Sequence, residues 1–283
     1  MKLKALSAFL TAFLLTLPSM ALAGQPEPWG LNLQAAASPL AERINEFHDM
    51  LLWIIIAIAL FVLVLLVWVI IRYNAKANPE PQQFTHHVGL EVLWTLIPII
   101  ILIVIAIPSF RVLYYNDRTE NPEMTLKIIG YQWYWNYEYP DHGGISFDSY
   151  MVADEDITDD QVRLLSTDTQ VVLPVDTDIQ LLISAGDVLH SWTIPAFGVK
   201  MDAIPGRWNE AWVNISKPGI YYGQCSELCG KDHAYMPIEI KAVSKEDYKT
   251  WALSQGATEA DFEVAEVEDA TVQTQPNEKI EEN

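Results

Sequence analysis

The chain has 283 residues and a formal charge of −20. Residues 111–254 hold 22 acids and 11 bases, and residues 255–283 add 9 acids and one base. So acidic a surface argues against nucleic acid as a partner and for a basic one. The only two cysteines, Cys225 and Cys229, are too few for a disulfide-built scaffold.

Lys2 and Lys4 precede an apolar run from Ala5 to Leu17, followed by Pro18-Ser19-Met20-Ala21-Leu22-Ala23. A basic start, a short apolar core and an Ala-x-Ala ending predict a secretory signal over residues 1–23, cleaved after Ala23. A first membrane anchor is the weaker reading, because the run is short. A periplasmic segment, 24–46, comes next. Leu51–Ile71 and Val92–Phe110 contain no charged residue, and each is about as long as a bilayer-crossing helix. Membrane helices are expected over 47–72 and 91–113, joined by a cytoplasmic loop, 73–90. Trp53, Trp68, Tyr73, Trp94, Tyr114 and Tyr115 lie near the ends, as interfacial aromatics do. A cleaved signal and two spans return the chain to the side where it began, so residues 111–283 are expected in the periplasm. The positive-inside rule gives almost no help: Arg72 and Lys76 in the loop face Arg43, Arg111 and Arg118 on the outer flanks.

From Met124 the pattern changes to short runs rich in Val, Ile, Tyr and Trp, punctuated by Gly, Pro and Asp. Strands are predicted over 124–130, 131–139, 171–175, 179–184, 189–195, 211–215, 220–224 and 236–243. Many short strands with turn signals predict a sandwich or barrel over 114–254. Ser244 with Asp247 reads as a helix cap, opening a short helix through Leu253. Residues 255–283 are acidic and aperiodic, the composition of a disordered tail.

The decisive segment runs from Gly223 to Pro237. It holds Cys225, Cys229, His233 and Met236 on one loop between two predicted strands, and His190 opens Leu189-His190-Ser191-Trp192. Thiolate and thioether are soft donors, and imidazole suits copper. Zinc would take two Cys and two His but has no use for a thioether. A mononuclear blue-copper site uses one Cys, so here one is left over. Two thiolates can bridge two coppers, each taking one histidine. Met236 is then a weak ligand to one ion and a loop carbonyl to the other. Three alternatives stay open on the residues alone: a disulfide, a structural zinc site and a copper carrier. No nucleophile, acid–base pair or phosphate loop for independent catalysis is evident.

The segments Gln132-Trp133-Tyr134-Trp135, Leu189-His190-Ser191-Trp192, Ala203-Ile204-Pro205-Gly206-Arg207 and Tyr221–Glu227 closely resemble cytochrome c oxidase subunit II, from about residue 40 to residue 254. The resemblance implies a bacterial inner-membrane protein: a two-helix transmembrane hairpin followed by a cupredoxin-like Greek-key β-barrel holding the binuclear copper centre CuA. Its ligands would be His190, Cys225, Cys229, His233, Met236 and the carbonyl of Glu227. The Glu227 side chain would bind a magnesium ion shared with subunit I. Partners implied are subunit I with its haems and CuB, other oxidase subunits, cytochrome c and the lipid membrane.

By the same resemblance, Trp133 is the residue through which electrons reach copper. Glu138, Asp141, Asp148, Asp168 and Asp187 match the acidic face that receives cytochrome c. Glu91 sits at the cytoplasmic mouth of a proton path into subunit I. The chain would thus be a subunit of a proton-translocating oxidoreductase that reduces oxygen elsewhere in the complex. Related proteins set the alternatives: a quinol oxidase subunit II shares the plan without the copper ligands, and nitrous-oxide reductase shares the copper loop without the membrane hairpin.

Overall fold

The structure, a computed structural model, describes residues 24–80, 83–117 and 121–262. The predicted signal, 1–23, and residues 263–283 of the predicted tail lie outside them. Helix α1 spans Pro39–Arg72 and helix α2 spans Val88–Asn116. Both are long and apolar enough to cross a membrane. Their large side chains stay exposed within the chain, as expected of lipid- or subunit-facing helices.

Helix α1 begins eight residues before the predicted span. Ser38 is its N-cap, accepting from the N–H of Ala41, and Pro39 stands where a helix tolerates proline. The early turns are amphipathic rather than apolar, so hydropathy alone does not show them. They dock on the soluble domain. Ala37 N–H donates to Ala196 O (2.8 Å), Ser216 N–H to Ala37 O (2.9 Å) and Ser38 Oγ to Phe197 O (2.7 Å). At the end of α2, the Arg43 guanidinium lies 3.9 Å above the Tyr115 ring, and Trp212 Nε1 donates to Tyr115 O.

The soluble domain holds ten strands: β1 Met124–Tyr131, β2 Tyr134–Tyr139, β3 Ile145–Ser149, β4 Val171–Pro174, β5 Asp178–Ala185, β6 His190–Ile194, β7 Val199–Ala203, β8 Asn209–Asn214, β9 Gly219–Gln224 and β10 Pro237–Val243. One sheet has the order β3-β2-β1-β5-β8, a second β4-β10-β9, and β6 pairs with β7. The β1/β5 and β4/β10 pairs are parallel, and the rest are antiparallel, giving a cupredoxin-like barrel. Alternation drives this. Leu126 and Ile128 on β1, Trp135, Tyr137 and Tyr139 on β2, and Ile179, Leu181 and Ile183 on β5 all point inward and are buried. Each contributes roughly 1.5–3 kcal/mol of apolar burial. Helix α3, Lys245–Ser254, is capped by Ser244, whose Oγ accepts from Asp247 N–H and donates to its carboxylate.

Three expectations need correction. The aromatic run 131–139 is not one strand: it turns at Gln132-Trp133, and β1 and β2 form a hairpin closed by the Tyr131–Tyr134 pair. The turn carries none of the usual turn residues. A tertiary contact holds it instead, from Asp187 to the Gln132 N–H. Strands β3 and β7 lack a long β-branched run and were not predicted. The predicted tail does not start free: residues 256–262 fold back on the domain. Thr258 caps a turn closed by Asp261, and the Phe262 ring lies 4.7 Å from that of His142.

Candidate metal centre

The site sits where the loop after β9 meets the start of β6. Cys225 N–H donates to Met236 O (3.0 Å), closing the loop at its base. Ser226 N–H donates to Ser191 O (2.9 Å), fastening the loop to the residue after His190. The two thiols are free, and their sulfurs lie 3.8 Å apart, far beyond a disulfide bond. Cys225 Sγ lies 3.8 Å from His190 Nδ1, and Cys229 Sγ lies 3.6 Å from His233 Nδ1. Cys225 Sγ is also 3.4 Å from the Glu227 carbonyl oxygen. His190, Cys225, Cys229 and Met236 are buried.

His190 is fixed from outside. Its Nε2 pairs with Asp187 Oδ1 at 2.9 Å, which leaves Nδ1 facing the sulfurs. The same carboxylate accepts from the N–H groups of Val188 (2.6 Å) and Gln132 (2.8 Å). Gln132 Nε2 and Trp133 Nε1 both donate to Cys229 O, at 2.8 and 3.3 Å. One side of the His190 ring is pressed by Gly130 on β1: a Cβ there would lie 2.9 Å from the ring. Only glycine leaves this space.

The electrostatics suit a bound cation. Burial pushes the Cys225 thiol up, but hydrogen bonding to His190 and to backbone groups of Ser191 and Glu227 outweighs it and brings it to about 7. Burial and the neighbouring Cys225 charge push Cys229 up to about 12. The first proton leaves readily and the second resists, because two adjacent thiolates repel without positive charge between them. Burial works against an ionised Asp187, but its bonds to His190 and to two backbone N–H groups hold it below the usual carboxylate range.

The donor set fits a binuclear copper centre: two unpaired sulfurs, each beside one imidazole nitrogen, with a carbonyl and a buried thioether in reserve. Sequence reasoning named these residues but missed Gln132 and Gly130. It gave Asp187 a surface role, although its position three residues before His190 was a usable signal.

The remaining expected residues are scattered. Glu227 is exposed, its carbonyl turned inward and its carboxylate unpaired among the described contacts. Asp148 accepts from Asn136 and Asp168 from the Tyr150 N–H, while Asp141 accepts from the Thr125 N–H and Glu138 pairs with Lys127. Glu91 lies in the first turn of α2, where its carboxylate accepts from the His87 N–H at 3.3 Å.

Residues 124–243 match the family described as cytochrome c oxidase subunit II, periplasmic domain, and residues 26–112 match cytochrome c oxidase subunit II, transmembrane domain. The chain is 49% identical over 245 residues to a probable cytochrome c oxidase subunit 2 of Rickettsia bellii, covering 87% of this chain and 91% of that one. It is 47% identical over 239 residues to cytochrome c oxidase subunit 2 of Oenothera berteroana, covering 82% and 93%. A crystal structure of the periplasmic domain of cytochrome oxidase subunit II from Bradyrhizobium japonicum shares 47% identity, covering 49% of this chain and 96% of that one, with a TM-score of 0.46. With both halves matched and the identity sustained over most of its length, this chain belongs to the cytochrome c oxidase subunit II family.

Proposed function

We propose that this subunit takes electrons from reduced cytochrome c and passes them to the haem of subunit I, where oxygen is reduced and protons are moved. His190, Cys225, Cys229, His233 and Met236, with the Glu227 carbonyl, would hold the CuA pair. Two coppers bound there would supply one-electron acceptance, with the change of charge spread over both ions. The observation that carries this reading is the pair of free sulfurs 3.8 Å apart, each within 4 Å of its own imidazole nitrogen.

The chain's own residues prepare the step. Asp187 and Gly130 fix the His190 ring, so little rearrangement is left when the charge changes. Trp133 puts its indole N–H on the Cys229 carbonyl and is the bridge by which electrons arrive. Asp148, Asp168, Asp141, Glu138 and the outer part of Asp187 form the acidic face for a basic donor. The exposed Glu227 carboxylate would hold a magnesium ion at the contact with subunit I; magnesium favours such oxygen donors. Glu91 takes up protons at the cytoplasmic side. On this reading the β domain lies in the periplasm of a bacterial cell, and the signal would be removed after Ala23.

The test is metal analysis and electron spin resonance on the purified oxidase and on its Cys229→Ser variant. Two coppers in this subunit with a mixed-valence signal, lost in the variant, are expected. A joined pair of cysteines, or one colourless ion per subunit, overturns the assignment.

A further inference from the structure

The segment between Gly24 and Ser38 crosses the soluble domain before α1 begins, and part of it is built against the usual rule for loops. Trp29 is 96% exposed, Leu31 101% and Leu33 47%. Three large apolar side chains within five residues face outward, with no described partner in the chain. Trp29 also holds φ +63°, a left-handed conformation unfavourable for a bulky residue.

The loop is nonetheless held in place. Gly30 N–H donates to Glu27 O (3.2 Å) and Leu33 N–H to Asn32 Oδ1 (2.9 Å). Two further bonds set its level on α1: Asn32 Nδ2 donates to Asp49 Oδ1 (3.3 Å), and Asn45 Nδ2 donates to Gln34 O (3.2 Å). Asp49 stands two residues before Leu51, where the uncharged run of the membrane span begins. At 1.5 Å per residue that is about 3 Å along the helix axis. The loop is thus tied to the turn of α1 that meets the bilayer surface. Trp53, 71% exposed, lies one turn further along the same helix.

We propose that residues 27–34 form a membrane-interface anchor, in which Trp29, Leu31 and Leu33 enter the headgroup and upper acyl region of the outer leaflet beside α1. Tryptophan favours this zone, because its ring is apolar and its N–H stays hydrated. The lipid it fits is zwitterionic: Glu27 lies in the loop, Asp49 is bonded to it through Asn32, and both would repel anionic headgroups. With the anchor seated, the domain is held to the bilayer by its own surface as well as by its two helices.

The test uses the assembled oxidase in phosphatidylcholine bilayers and does not depend on copper. Leu31→Cys carries an environment-sensitive fluorophore, and the unsubstituted chain, whose cysteines are buried, serves as the labelling control. Blue-shifted emission, quenched by lipids spin-labelled high on the acyl chain and less by those labelled deep, is expected. Water-like emission places the loop in solvent and overturns the proposal. Blue-shifted emission that lipid quenchers leave untouched places it under a neighbouring subunit and also overturns it. A label-free measurement checks the result: wild-type tryptophan emission should contain a component quenched by brominated lipid that Trp29→Phe removes, and no difference between the two refutes the anchor.

Discussion

Gly130→Ala tests the claim that close packing, not only the donor residues, builds the proposed copper site. A Cβ at this position would lie 2.9 Å from Cγ and Cδ2 of His190. Ordinary contact begins near 3.4 Å, so the ring or β1 must move by about 0.5 Å in a close-packed interior. The ring has little freedom: it is fully buried, held at Nε2 by Asp187, and edge-on to Trp135 at 5.9 Å. Overpacking of this kind costs about 1–3 kcal/mol. The loss of chain entropy in the unfolded state returns about 0.4–1 kcal/mol, leaving a net loss of roughly 1–2 kcal/mol. A shift of that size exceeds the ~0.2 Å tolerance of a metal–ligand distance, so copper affinity falls with it. Gly144→Ala is the matched control. Gly144 holds φ +64° with nothing within 4 Å of a Cβ, so alanine there costs about 1–2 kcal/mol through the backbone alone. Thermal unfolding of the apo protein should show similar losses for both variants. Copper titration and the spin-resonance spectrum should change only for Gly130→Ala. If the two behave alike at copper, or if Gly130→Ala is silent, the packing argument is wrong.

Four further outcomes are expected. Trp133→Gln should nearly stop electron transfer from cytochrome c while two coppers stay bound, read by stopped-flow reduction and metal analysis. Asp187→Ala removes three accepted hydrogen bonds and should weaken copper binding by roughly 10–100-fold. By contrast, Asp187→Asn should retain copper and only soften the ionic-strength dependence of donor oxidation. Glu91→Ala should slow proton uptake and turnover and leave the copper spectrum unchanged. His142 is buried against Tyr248 and Phe262, and burial lowers its pKa although Asp141 and Asp261 oppose the shift. Its neutral form is favoured by folding, so its contribution is full above its unfolded pKa of about 6.5 and is lost as pH falls through the lower folded value. His142→Gln should flatten the acid limb of a thermal-stability profile; an unchanged limb assigns that limb to other groups.

Legibility in the sequence followed the range of the interaction. The two spans and the Cys225–Met236 loop are local patterns, and both were readable because hydropathy and ligand spacing act within one segment. The Trp133 turn was not readable. Its bonds come from Asp187 and Cys229, 55 and 96 residues away in the chain, while the local pattern of alternating aromatics favours a continuous strand. Asp187 illustrates the same point from the other side. As an acid in a β domain it reads as a surface charge; its place three residues before His190 was the one local hint, and the fold shows its carboxylate bonded to that ring. The turn at 256–262 was hidden by its acidic neighbours, since Ala257 and Phe262, which pack on the domain, show no periodicity.

The longest-range contacts also bear on the proposed role of this subunit in electron transfer. On that proposal, transfer between fixed centres requires that the loop from Cys225 to Met236 keep one position relative to the membrane partner. Ser38, at the head of α1, donates to the carbonyl of Phe197, in the turn that directly follows β6. Strand β6 begins with His190, and its next residue, Ser191, receives the N–H of Ser226 from the ligand loop. The path from α1 to the proposed ligands therefore runs through one hydrogen bond, the Pro195–Phe197 turn, one short strand and one more hydrogen bond. The Ser38–Phe197 bond is buried, and a buried hydrogen bond is difficult to break because its groups have no water to turn to. Rigidity of this kind does not require a large interface between helices and barrel. It requires that some of the few contacts fall next to the strand that carries His190, and those of Ala37 and Ser38 fall on the turn that ends it.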